Sequence, residues 1–164
     1  MTYMIRPLLL AALLVISSGV TAVDTGSFDM MTIWEKHYHS MDWPDRSFTV
    51  GELEGTATIL ESTAEPFVAE EYYRSSCLVY AKRTESRYVL EAHCSMRDAS
   101  GDSFNLRAIR DHGNTEAGGG GEGQWEFMGG TGKYVGIQGG CAYMVKYLGQ
   151  ERVVNTSRDC QWHR

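Results

Sequence analysis

Cys77-Leu78-Val79-Tyr80-Ala81-Lys82-Arg83-Thr84-Glu85-Ser86-Arg87-Tyr88-Val89-Leu90-Glu91-Ala92-His93-Cys94 carries the strongest architectural signal in the chain. Both halves alternate in polarity with the period of a β-strand. The two cysteines lie equally far from the midpoint between Glu85 and Ser86, inside a polar run suited to a turn. A tight, even-length loop centred there sets Cys77 directly across from Cys94. Opposed residues of an antiparallel ladder have Cα atoms about 4.5–5.5 Å apart, and a disulfide accepts about 4.4–6.8 Å. In that register Cys77, Val79 and Ala81 share a face with Leu90, Ala92, Cys94 and Met96, while Tyr80, Lys82, Glu91 and His93 lie on the other. The first set is the expected interior.

The same symmetry recurs. Cys141 and Cys160 lie equally far from the midpoint between Gln150 and Glu151. Among the pairings open to the chain's four cysteines, this geometry selects Cys77–Cys94 and Cys141–Cys160. Cys141, Tyr143, Val145 and Tyr147 then share a face with Val154, Thr156, Arg158 and Cys160. Tyr143 sits opposite Arg158, and Tyr143, Tyr147 and Arg158 become candidate ligand-binding residues of a lumen. Metal binding by the cysteines is disfavoured, because no pair has C-x-x-C spacing.

Strands extend outward from these hairpins. Ile33 to Met41 places Trp34 and Tyr38 on one side and His37 and His39 on the other, and Trp43-Pro44-Asp45 breaks it. Phe48 to Leu60 follows, with Gly51 and Gly55 as expected bulge or bend sites. Glu71 to Arg83, Arg87 to Met96, Ser103 to Arg110, a short Gln124 to Met128, Gly139 to Leu148 and Arg152 to Trp162 complete the set. Asp98 to Asp102 is a turn rich in side chains that bond their own backbone, and His112 to Gly123 is expected to be a mobile glycine-rich loop. Eighteen Gly, nine Tyr and only three Pro suit an all-β chain. About eight short strands is the count at which a sheet closes into a small barrel. The expectation is a single eight-stranded antiparallel β-barrel with two cross-strand disulfides.

The N-terminus is expected to be removed. Arg6, the apolar run Leu8 to Ile16 and the small residues of Val20-Thr21-Ala22 have the layout of a secretory signal. The run is too short for a membrane span, which needs roughly 20 residues. Residues 1–22 are therefore assigned to a signal peptide and 23–164 to the barrel. A secreted or periplasmic location follows, and it supplies the oxidising compartment that disulfides need. The whole chain carries a net charge of −6. Arg6 is the only charged residue of the leader, so the mature chain is one unit more negative. Such a surface repels nucleic acid and gives no attraction to anionic lipid. No membrane insertion of the mature chain is expected.

Trp125-Glu126-Phe127-Met128-Gly129-Gly130-Thr131-Gly132-Lys133-Tyr134-Val135-Gly136-Ile137-Gln138-Gly139-Gly140 resembles the GGTGKY-x-G-x-x-G segment of allene oxide cyclase-like and dirigent-like barrels. Cys94 and the Asp98 to Asp102 turn resemble a bacterial exported branch of that group. The resemblance covers roughly Cys77 to Trp162. It implies a calycin-type barrel, in which Gly129, Gly130, Gly132 and Gly136 form a sharp structural corner. It also implies a tendency to associate into homo-oligomers. The resemblance assigns no catalytic residue to a position of this chain, and none is transferred. Gly129 to Lys133 is not a phosphate loop, since Tyr134 stands where a Ser or Thr is required.

Several constellations invite chemistry. His37 and His39 share a strand face with Glu35 and form a weak candidate metal site, the plainer reading being a solvated polar face. Glu91 and His93 have acid–base spacing, and Glu52 and Glu54 have that of paired carboxylates. Both pairs fit a solvated sheet face as well. Asp98 and Asp102 supply too few oxygens for Ca²⁺. Asn155-Thr156-Ser157 matches a glycosylation sequon without consequence in a bacterial-looking export product. Arg158 beside Tyr143 could hold an oxyanion, or stack on Tyr143 at the open end of the sheet and reach water.

The first functional expectation is a binding module that takes a small apolar or aromatic ligand at one mouth of the barrel, with no cofactor. An enzyme of the cyclase or isomerase type is the alternative, and a structural or interaction protein with a filled barrel is the third. An open lumen favours the first two; a filled one favours the third.

Overall fold

The computed structural model describes residues 24–164. The expected signal segment, residues 1–22, lies outside the described residues. Eight strands run in chain order: β1 (Thr25–Trp43), β2 (Arg46–Ser62), β3 (Tyr72–Thr84), β4 (Tyr88–Arg97), β5 (Ser103–Arg110), β6 (Gly120–Gly130), β7 (Gln138–Leu148) and β8 (Arg152–His163). Each pairs antiparallel with its neighbour in sequence, and β8 returns to β1, closing the barrel. The closing ladder pairs Thr25–Glu35 of β1 with β8, while β1 and β2 run on together to Trp43 and Arg46.

The first hairpin follows the expected register. Cys77 pairs with Cys94, Val79 with Ala92 and Ala81 with Leu90, and all six are buried. Both disulfides form as expected, with Cα separations of 4.0 Å for Cys77–Cys94 and 4.5 Å for Cys141–Cys160. Covalent staples of this kind fit an oxidising compartment.

The last hairpin differs. Leu148 pairs with Arg152, so its loop has three residues rather than an even number. Every pair near the turn is displaced by one: Tyr147 faces Val153, Val145 faces Asn155 and Tyr143 faces Ser157. A bulge in β8 then adds one residue against both β7 and β1, centred on Asp159 with φ of 51°. The odd loop and the extra residue cancel by the time the strands reach Cys141 and Cys160. A one-residue slip turns every side chain to the opposite face. Val153, Asn155 and Ser157 therefore point inward, and Arg158 is exposed.

Two other expectations are corrected. Gly51 and Gly55 make no bulge, since the β1–β2 and β2–β3 ladders run unbroken through them. They pair with Tyr38 and Trp34, and a Cβ at either would lie within 2.9 Å of these aromatic residues. The glycines allow the β1 backbone to approach closely, the nearest atoms being the carbonyl oxygens of His37 and Ile33. The expected mobile loop is also shorter, because β6 begins at Gly120 and leaves residues 111–119 as the connection.

The two ends of the barrel are built differently. The lower end holds an aromatic plug. Phe67, from the β2–β3 connection, inserts among Phe28, Phe104, Tyr134 and Trp162 with centroids 4.1–5.9 Å away. Such pairs add attraction beyond the area they bury. Beside the plug, Lys133 Nζ contacts Glu71 at 2.7 Å and Asp98 at 3.0 Å. Asp98 also accepts bonds from the Ser100 N–H, the Ser100 hydroxyl and the Asp102 N–H. Burial works to raise this carboxyl, but the Ser100 and Lys133 bonds outweigh it and hold it at about 2. The glycine corner completes this end. Gly129, Gly132 and Gly136 have φ of 77°, 50° and 78°, and a Cβ at Gly130 would strike the Ser103 carbonyl at 2.0 Å. A single 3₁₀ turn, Gly132–Tyr134, joins β6 to β7.

Candidate functional site: a buried arginine under the upper mouth

Along β5, Phe104, Leu106, Ala108 and Arg110 occupy alternate positions, and all four are buried. Strand periodicity thus carries the last of them, an arginine, into the lumen. Arg110 is 1 % exposed. Its Nη2 donates to the Tyr88 hydroxyl at 3.0 Å, the Asn114 carbonyl at 3.1 Å and the Tyr147 hydroxyl at 3.4 Å. Its guanidinium carbon lies 5.3 Å from the Tyr88 ring centre and 5.7 Å from that of Tyr147. Nε and Nη1 have no hydrogen-bond partner. Among the described residues Arg110 makes no ion pair. A guanidinium stays charged at any ordinary pH, and leaving such a charge buried and unpaired is costly.

Arg110 lines a cavity of about 30 Å³ in the upper half of the lumen, together with Trp34, Tyr38, Trp125, Tyr143 and Tyr147. That is room for a water or two, or for a group the size of a carboxylate. The remaining lining is mostly aliphatic, with Asn155 as a polar exception. Trp125 Nε1 donates to the Ser157 hydroxyl, and Trp34 Nε1 to that of Ser75. Burial pushes the Tyr38 and Tyr143 hydroxyls well above the ordinary phenol range. It also raises Tyr88 and Tyr147, against the opposing pull of the Arg110 charge. These phenols stay neutral and serve as dipoles.

Above the cavity, residues 111–119 cross the mouth. They are held by the Arg110–Asn114 bond, by Lys36 Nζ donating to the Thr115 carbonyl at 3.0 Å, and by paired backbone bonds between Tyr147 and Gly118–Gly119. Clefts lie on both sides of Thr115 and Glu116. Lys36, Tyr38 and Gln150 border one, and Ala81, Arg83 and Tyr88 border the other. Burial lowers the Lys36 ammonium below its usual range.

The structure sorts the sequence candidates. Tyr143 and Tyr147 are buried and line the cavity. Arg158 is not beside them: the β8 bulge turns it outward, and Arg110 occupies the lumen instead. His37, His39 and Glu35 share the outer face as expected, and no metal-holding group of three or more His, Cys, Asp or Glu occurs among the described residues. Glu91 is on the same outer face, accepting bonds from Arg107 Nε at 2.8 Å and, when His93 donates, from its ring at 3.0 Å. Glu52 and Glu54 are exposed there too. Asp98 is a turn residue and part of the Lys133 network.

Fold and site together define a closed eight-stranded antiparallel barrel with one plugged end and a small, aromatic-lined cavity at the other. No family model matches the chain, and no curated protein matches it in sequence.

Proposed function

We propose that this chain is a secreted or periplasmic binding barrel that takes a small apolar or aromatic ligand in the upper half of its lumen. One observation carries this reading: the interior is asymmetric. The lower half is packed by Phe67 and its ring neighbours, while the upper half keeps a cavity lined by Trp34, Trp125 and tyrosines, with a cleft at the mouth that shares Tyr38 with it. Small-molecule sites have this build, an apolar wall with a few convergent polar groups. Binding is better supported than isomerase or cyclase chemistry. Among the described residues no carboxylate or imidazole lines the cavity, and its tyrosines hold their protons. The resemblance to allene oxide cyclase-like and dirigent-like barrels is compatible with either use of a lumen.

The second reading is a structural or interaction barrel with a filled interior, which the cavity's 30 Å³ favours. Native mass spectrometry of oxidised protein, with tryptophan fluorescence during titration by benzyl alcohol and by benzamide, separates the two. A co-purifying small molecule, or saturable quenching of Trp34 and Trp125, supports the binding barrel. Absence of both favours the filled barrel.

A further inference from the structure

Two other cations of the barrel are paired with carboxylates. Lys133 sits between Glu71 and Asp98, and Arg107 between Glu91 and Glu126. Among the described residues Arg110 is the one fully buried cation; its Nε and Nη1 are unused donors, and it borders a cavity. The missing partner is an oxyanion. A neutral acceptor would satisfy the hydrogen bonds and leave the charge uncompensated.

We infer that the upper lumen binds a small organic carboxylate, with the carboxylate on Arg110 and an apolar or aromatic body running toward Tyr38 and the mouth. This rests on the binding-barrel reading and adds the charge and orientation of the ligand. Three observations support a carboxylate. The cavity has room for a group of that size beside the guanidinium. Tyr88 and Tyr147 fix the guanidinium through Nη2 and leave its other nitrogens for a ligand. Lys36 places a second cation at the rim, also without an ion-pair partner among the described residues, on a chain whose net charge is −6. Local positive potential in an acidic protein draws an anion to the mouth. A body longer than a few carbons passes beneath Thr115 and Glu116, where Lys36 and Arg110 hold the crossing segment. Glu116 borders the cleft beside Lys36 and disfavours ligands with a second negative charge.

The test compares isosteric pairs on the full oxidised protein by calorimetry: benzoate against benzamide, and butyrate against butyramide. Each carboxylate is expected to bind at least tenfold more tightly than its amide. Arg110→Met is expected to abolish that preference, so that each carboxylate binds no more tightly than its amide to the same variant, and Arg110→Lys to keep part of it. Equal binding of carboxylate and amide to the wild-type protein overturns the inference and leaves the barrel reading standing. Failure of all four compounds to bind overturns both. A preference for carboxylate that survives Arg110→Met overturns the role of Arg110. Should Arg110→Met not fold, the wild-type pairs together with Arg110→Lys still decide.

Discussion

The backbone N–H of Asp159 donates a 2.7 Å hydrogen bond to the carboxylate of Asp29 on the neighbouring strand. This bond ties down the bulged residue, whose φ of 51° lies in the left-handed region. Three consequences of the architecture can be measured.

Asp29→Ala removes the acceptor that holds the bulge and is expected to cost about 1 kcal/mol, since a largely exposed charge-assisted bond falls at the low end of its range. Asp159→Gly, which accepts the backbone angle freely, should stay within roughly 0.5 kcal/mol of wild type. Asp159→Val should cost about 2 kcal/mol, because a β-branched residue is strained there. Urea unfolding of the three variants checks the order.

Asp98 governs acid stability. Its folded carboxyl is held at about 2, below the ordinary value of 3.8. A depressed carboxyl contributes fully above the ordinary value, and its contribution drains away as pH falls through the folded value. The wild-type protein is therefore expected to lose roughly 2 kcal/mol between about pH 5 and pH 2 from this group. Asp98→Asn should already be weakened by a similar amount at neutral pH, with a flatter curve across that window. Thermal unfolding as a function of pH reads both.

Phe67 plugs the lower end from a connection rather than from a strand. Phe67→Ala leaves a hole among Phe28, Phe104 and Trp162 and is expected to cost about 3–5 kcal/mol. Phe67→Leu should recover more than half of that. Equilibrium unfolding in denaturant tests it; a loss under about 1 kcal/mol would mean that the plug is dispensable.

The first hairpin was legible because its register is unbroken from Cys77–Cys94 to Arg83–Tyr88. Symmetry about a turn then sorts the faces correctly. In the last hairpin the same reasoning found the disulfide and mis-sorted Val154, Thr156 and Arg158. The three-residue loop after Leu148 and the bulge at Asp159 offset each other at the cysteines, so the pairing holds while the faces between do not. The spacing of Cys141 and Cys160 contains no trace of two compensating irregularities. Arg110 was missed although its signal was present. It continues the Phe104, Leu106, Ala108 alternation, and a charged residue at the inward phase of an otherwise apolar face marks a buried charge. Its lack of a counter-ion is a property of eight strands at once, and no local pattern records that. Gly51 and Gly55 were visible as special positions, but their purpose depends on the close approach of the β1 backbone across the ladder.

The join between the first and last strands sets an order on assembly. Seven of the eight pairings link consecutive strands, and both disulfides lie inside such local units. The remaining one brings Phe28 against Cys160 and Thr25 against His163. During synthesis the ring cannot close until nearly the whole chain has emerged. Until then the growing sheet carries two bare rims, and pairing between rims of different molecules competes with closure. Truncation of even the last strand should leave a soluble-to-aggregated ratio far below that of the intact chain, because the rims would then have no partner of their own.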